Sequence, residues 1–177
     1  MFGETLLQIS WKLIPPPILI NSNLVSAQHR ERLYWTNIPN ASRPQPKNVK
    51  LKDIVLPVEE VETKYWYGEE RPFEYNGDDK RVQCTMLGKG FMRNTREVYN
   101  LNATTSTLMR DGDGGNRVKK IYQDGRVRRL TPIEYERLQT LPDNYTEGIA
   151  NNKRYSAIGN AWTVDIISHL FKGLKEE

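Results

Sequence analysis

Apolar and polar positions along the 177-residue chain fall into a few short, sharply bounded apolar runs separated by long stretches without a period. The first run is "ILI" at 18–20, directly after Pro15, Pro16 and Pro17. A continuous apolar triplet behind prolines predicts a strand covered on both faces, not a helix. "RLYWTNI" at 32–38 is rich in aromatic and β-branched residues and is closed by Pro39, which predicts a second strand. The segment from Gln28 to Arg32 leads from one to the other, so the pair are expected to be neighbours.

From about 40 to 127 the pattern dissolves: "PNASRPQPKN" is linker-like, "LKDIVLPVEEVE" is short and acidic, and "GEERPFEYNGDDKR" and "RDGDGGN" are rich in turn formers. Short strands and irregular loops are expected there, with the glycines of 111–115 letting backbone pass close to a ligand or simply turn. Order returns at "LTPIEYERLQTLP", where Thr131 can cap a helix, Pro132 occupies its favoured first position, Glu134 closes a capping box and Pro142 stops the run. In "WTVDIISHLFKGL" the residues Ile166, Ile167, Leu170, Phe171 and Leu174 form one apolar helical face. Two strands, a long irregular insert and two closing helices describe the end of an α/β layer structure better than a whole one.

Composition narrows this picture only slightly. Lys and Arg number 26 against 22 Asp and Glu, a net charge of +4 that is compatible with nucleic acid and with many other partners. A hydrophobic content of 37% with 10% aromatic residues lies above that of disordered chains. The single cysteine, Cys84, excludes an internal disulfide and a four-cysteine metal site and suits a reducing, cytoplasmic setting. The N-terminus lacks a basic n-region and is broken by the three prolines, so neither a signal peptide nor a membrane span is expected.

Four clusters are candidates for chemistry, each with an ordinary structural alternative. "QHRER" at 28–32 could be solvated charge entering a strand. Alternatively, its alternate arginines could hold a carbonyl or phosphate oxygen with their fixed fork of donors. "NLNATTSTLMRDGDGGNR" at 100–117 combines hydroxyls, glycines and Arg110, which suit phosphates and base edges but also any polar loop. "RVRRLTP" sets three arginines before a helix N-terminus, where anions are favoured. "SAIGNAWTV" places Gly159 and Asn160 at the opening of the last helix with Trp162 a turn in, an arrangement ordinary in helix entries. His169 reads as a packing or surface residue, His29 lacks an obvious triad, and Cys84 reads as a buried small residue in a strand.

Three of these segments, taken together, resemble the C-terminal portion of the cytosine-5 DNA methyltransferases. "SAQHRERLYW" is similar to the family's Q-x-R-x-R motif through Gln28, Arg30 and Arg32. "RRLTPIEYERLQTLPDNY" resembles its R-x-L-T-P-x-E helix through Arg128, Leu130, Thr131, Pro132 and Glu134, followed by Arg137, Leu138, Gln139, Pro142 and Asp143. "RYSAIGNAWTV" resembles its last motif through Gly159, Asn160 and Val164. Trp35 and Trp162 bring the resemblance nearest to the de novo type branch and related bacterial and phage enzymes. The resemblance implies an α/β chain, the C-terminal part of a Rossmann-like S-adenosylmethionine-dependent methyltransferase fold with a strand-rich target recognition insert. It divides as 1–40 (end of the catalytic domain), 41–127 (target recognition) and 128–177 (closing helices).

The chemistry so implied is base flipping, cysteine addition at cytosine C6 and methyl transfer to C5. Arg32 is expected to hold the base, with Arg30 and Gln28 supporting it. Gly159, Asn160, Ala161 and Trp162 are expected on the S-adenosylmethionine side, and Thr105, Ser106, Thr107 and Arg110 toward double-stranded DNA. The glycine-rich cofactor turn, the Pro-Cys-Gln loop and the Glu-Asn-Val strand of the family are absent, and Cys84 follows Gln83, so no nucleophile is assigned. Three readings follow: a subunit of a split methyltransferase whose partner polypeptide carries Pro-Cys-Gln and Glu-Asn-Val, a non-catalytic DNA-binding or regulatory module, and an inactive truncated product. The setting is either restriction-modification or phage self-protection.

Overall fold

The computed structural model describes residues 15–69, 72–87, 95–109 and 117–174. It is a mixed α/β structure with one two-stranded sheet, one five-stranded sheet, three α-helices and four short 3-10 helices among the described residues. Strand β1 (Ile18–Asn21) pairs antiparallel with β2 (Glu31–Tyr34), Leu19 opposite Leu33 and Ile20 opposite Arg32, so the two expected strands are indeed neighbours. β2 ends at Tyr34, earlier than the apolar run suggests, and Trp35 lies exposed beyond it.

The second sheet contains β3 (Phe73–Tyr75), β4 (Val82–Met86), β5 (Glu97–Tyr99), β6 (Lys120–Gln123) and β7 (Arg126–Arg129) in that order. All neighbours are antiparallel except β5 and β6, which run parallel. A parallel pair needs a crossover. Here the connection from Asn100 onward carries Thr105 to Leu108 away from the sheet and back to Gln28. The β6–β7 hairpin turns on Asp124 and Gly125, both at positive φ (48° and 76°), as a two-residue type I′ loop requires.

Helix α1 (Pro132–Leu138) begins as the sequence predicts, with Thr131 accepting from Glu134 N and Glu134 closing the capping box. It stops before Pro142: Gln139 is the C-cap, and Thr140 at φ 55° turns the chain. Helix α2 (Asn151–Asn160) is an element the apolar pattern missed, because its buried face consists of Arg154, Tyr155, Ile158 and Gly159, only two of them apolar side chains. Gly159 and Asn160 therefore close α2; they do not open the last helix, and Trp162 lies in the link before α3 (Val164–Phe171). The backbone reason is local: Ala161 N bonds back to Ala157 and Ile158 while Ala161 itself is extended.

The main core joins Ala27, Leu51, Tyr99, Leu108, Ile121, Leu130, Leu138 and Ile158, so strand-rich insert and closing helices share one apolar cluster. A second cluster sets Ile166 and Leu170 of α3 against Ile20 and Val25. The predicted apolar face of the last helix is thus split: Ile166 and Leu170 are buried, whereas Phe171 and Leu174 are 54% and 56% exposed. Cys84 is buried in β4, as expected, and burial pushes its thiol up to about 11.

Candidate functional site

The Q-x-R-x-R segment, the loop 105–108 and the link after α2 meet at one junction. Thr105 pairs with Gln28 as a short parallel bridge: Thr105 N donates to Ala27 O at 2.9 Å and His29 N donates to Thr105 O at 2.8 Å. Thr107 Oγ1 donates to His29 O at 2.9 Å. Gln28 is fully buried; its Oε1 accepts from Leu108 N at 2.8 Å and its Nε2 donates to Gln139 Oε1 at 3.3 Å. Gln139 in turn donates to Ile158 O and Ala161 O and accepts from Thr163 Oγ1. Since Thr163 gives its proton to Gln139, Ser22 is the donor in the 2.8 Å Ser22–Thr163 hydroxyl contact.

Arg30 is also buried, with NH1 on Leu108 O at 3.1 Å and NH2 on Gly159 O and Ala161 O at 3.3 and 3.2 Å. Burial and the nearby Arg32 charge both lower its pKa. Among the described residues no carboxylate lies within ion-pair distance of Arg30 or Arg32. Arg32 differs sharply: it is exposed, and among the described residues NH1 donates to the adjacent Glu31 carbonyl at 2.7 Å. An exposed guanidinium thus stands two residues from a buried one.

The other predicted site residues divide in the same way. Thr105 is fully buried and its hydroxyl has no partner among the described residues, so its contacts at the junction are made through its backbone. Ser106 Oγ takes Lys119 Nζ at 2.7 Å and meets Tyr99 OH at 2.6 Å, while Tyr99 OH donates to Glu97. Burial pushes Lys119 down to about 8, and burial together with Glu97 pushes Tyr99 up to about 12. Arg110 and the glycines 111–115 lie outside the described residues. Ala161 and Trp162 wall an open, mainly apolar hollow of about 520 Å³ with Leu141, Val164, Ile167 and Phe171. Gly159 is buried and Asn160 is exposed, and neither lines the hollow.

The three arginines of "RVRRLTP" do not form an anion site. Arg128 is fully buried on Glu134 (2.6 Å), Arg126 lies over the Trp66 ring, and Arg129 donates to Lys64 O, so the anion at the helix N-terminus is the protein's own carboxylate. A second buried ion pair, Arg154 on Glu136 at 2.8 Å, went unread because both residues look like surface charge in the sequence. Only their placement on facing helices α2 and α1 sets them together. Leu108 and Gln139, central to the junction, were legible only as members of motifs.

The architecture is that of a methyltransferase: 98% of the chain aligns with 58% of the Entamoeba histolytica methyltransferase EhMeth at a TM-score of 0.57 and 15% identity, a likeness of fold. The pattern that defines the C-5 cytosine-specific DNA methylases matches residues 16–176, and the chain belongs to that family. It is 27% identical to the type II methyltransferase M.HhaI of Haemophilus parahaemolyticus over 81% of this chain and 47% of that one. Identity to M.HpaII of Haemophilus parainfluenzae is 26%, over 93% and 51% of the two chains. A 75-residue stretch is 51% identical to M.Sau3AI of Staphylococcus aureus, covering 42% of this chain and 18% of that enzyme. The chain spans about half the length of M.HhaI and M.HpaII.

Proposed function

We propose that this chain supplies the target-recognition surface and the closing part of the catalytic domain of a DNA (cytosine-5-)-methyltransferase. The nucleophile and the Glu-Asn-Val acid are proposed to lie in the other half of the enzyme, whether on a second polypeptide or on the same one. The observation that supports the reading is the junction itself: Gln28 and Arg30 of the Q-x-R-x-R segment tie the loop 105–108 to the Gly159–Ala161 link, with the sequence's one cysteine elsewhere. Cys84 lies in β4 with its thiol pushed up, which leaves it protonated and a poor nucleophile near neutral pH.

In this reading Arg32 holds the oxygen of a flipped cytosine and stabilises charge developing on the ring, while Gln28 and Arg30 fix the strand that presents it. Thr107 and Arg110 face DNA, with Thr105 and Ser106 shaping the loop from beneath. Enzymes of this family use S-adenosylmethionine, which supplies the methyl group. The hollow fits the cofactor in part: Trp162 offers an aromatic face to an adenine ring. The hollow holds few groups for ribose hydroxyls or an amino-acid moiety, so those contacts fall to the other half.

Open apolar surface supports a missing half. On the hairpin face opposite α3, Leu19 and Leu33 sit side by side at 42% and 50% exposure with Trp35 at 57%. A two-stranded hairpin with one bare apolar face is marginal on its own and needs a covering layer. Among the described residues no helix is long and apolar enough to cross a membrane, and a cytoplasmic setting suits the free thiol. The test is methyl transfer from labelled S-adenosylmethionine to DNA. The expected result is none with this chain alone and transfer when a polypeptide carrying Pro-Cys-Gln and Glu-Asn-Val is added. Activity of the lone chain, or inactivity of the mixture, overturns the reading.

A further inference from the structure

Both backbone polar atoms of Leu108, in the recognition loop, are held by side chains of the motif segment. Leu108 N donates to Gln28 Oε1 at 2.8 Å, and Leu108 O accepts from Arg30 NH1 at 3.1 Å. The far ends of both side chains arrive at the link after α2. Arg30 NH2 donates to Gly159 O and Ala161 O, and Gln28 passes through Gln139 to Ile158 O and Ala161 O. Two parallel struts thus run from the Leu108 residue to the Ala161 carbonyl, whose residue walls the apolar hollow.

The physical consequence is mechanical. Arg30 has no carboxylate within ion-pair reach among the described residues and is balanced by carbonyl dipoles on both sides. A guanidinium is planar and rigid, so it holds both sides in one geometry where a flexible amine would not. If the loop moves without the link, a buried donor or acceptor loses its partner, which is costly in a dry interior. The two segments therefore move together or not at all.

We propose that Gln28 and Arg30 are positioning residues that couple DNA engagement at the loop 105–108 to the geometry of the cofactor-side link 159–163, so that each ligand strengthens binding of the other. This rests on the DNA- and cofactor-binding reading above. The backbone amides supply reporters at both ends: His29 N and Thr105 N in the loop pairing, Ala161 N and Val164 N at the link.

The test is hydrogen exchange on the full chain, with and without a short mixed-sequence DNA duplex at low salt, for the wild type, Arg30→Met and Gln28→Leu. In the wild type the duplex slows exchange at both sets of amides, by about fivefold or more at the link. In either variant the protection at His29 and Thr105 persists while that at Ala161 and Val164 is lost. A residue that merely fills the core would lower protection everywhere without separating the two ends. Wild-type protection confined to the loop overturns the proposal with no variant needed, as does link protection that survives Arg30→Met. A duplex that protects neither segment instead removes the DNA-binding reading, and the coupling with it.

Discussion

Glu134→Gln removes one charge and almost no volume from the point where the R-x-L-T-P-x-E motif closes on itself. The Glu134 carboxylate accepts from Arg128 NH1 at 2.9 Å, Arg128 NH2 at 2.6 Å, Thr131 N at 2.6 Å and Leu56 N at 2.8 Å. An amide keeps one acceptor oxygen and turns the other position into a donor, so two of these four N–H groups face an N–H. Both members of the ion pair are 0% exposed, so Arg128 is left as a buried cation without its anion. Breaking one side of such a pair costs about 3–5 kcal/mol, a large part of a typical total of about 5–15 kcal/mol. Urea denaturation followed by tryptophan fluorescence reads it well, because Trp66 lies against both Arg126 and Arg128. At about 2 kcal/mol per molar urea the midpoint should fall by about 2 M. The double replacement Arg128→Met with Glu134→Leu should recover part of the loss, since no lone charge remains buried although Thr131 N and Leu56 N lose their acceptor. A single-variant loss below about 1 kcal/mol, or a double variant as unstable as Glu134→Gln, would refute the account.

Lys119 gives a pH test with a definite sign: its folded value of about 8 lies below the ordinary 10.5, so between those values the unfolded chain holds a proton that the folded chain has released. Stability should therefore rise with pH from about 8 to 9, by at most about 1.4 kcal/mol per unit, before the raised Cys84 thiol begins to oppose it, and Lys119→Met should lose that slope; a variant slope equal to the wild type's would count against it. In the reconstituted enzyme Arg32→Ala should abolish turnover while changing DNA affinity by less than about threefold, whereas Arg110→Ala should mainly weaken DNA binding or alter sequence choice; equal losses of binding from both changes would contradict these roles. Trp162→Ala should weaken S-adenosylhomocysteine binding to the assembled enzyme by about tenfold, read by calorimetry, and an unchanged affinity would take the cofactor wall elsewhere.

Much of the local structure was legible because it depends on neighbours in sequence. The capping box at Thr131 and Glu134, with Pro132 between, is a contact spanning three residues and formed as read. The hairpin β1–β2 followed from two apolar runs close in the chain. The Asp124-Gly125 turn carried a plain hairpin signal in "IYQDGRV" that a reading of the insert as irregular passed over. Helix α2 was illegible for a different reason: half its buried face is Arg154 and Gly159, and a buried arginine looks polar until Glu136 is seen across from it. The Gly159-Asn160 pair was placed at the wrong end of a helix because such a turn serves as exit or entry equally well, and only the bonds from Ala161 N settle which.

What the sequence determined by itself is the family, the order of its motifs, the caps and the strand pair, all of which follow from residue types at short, fixed spacings. Tertiary structure alone decided how the motif residues are held. Gln28, Arg30 and Arg32 look alike as polar residues on one segment, yet two are buried on backbone carbonyls and amides and one is exposed. The same holds for Thr105, Ser106 and Thr107, of which the first is sealed in the core. The reason is physical: burial, and the hydrogen-bond partners that make burial of a polar group tolerable, come from segments more than seventy residues away, and no local pattern encodes that distance.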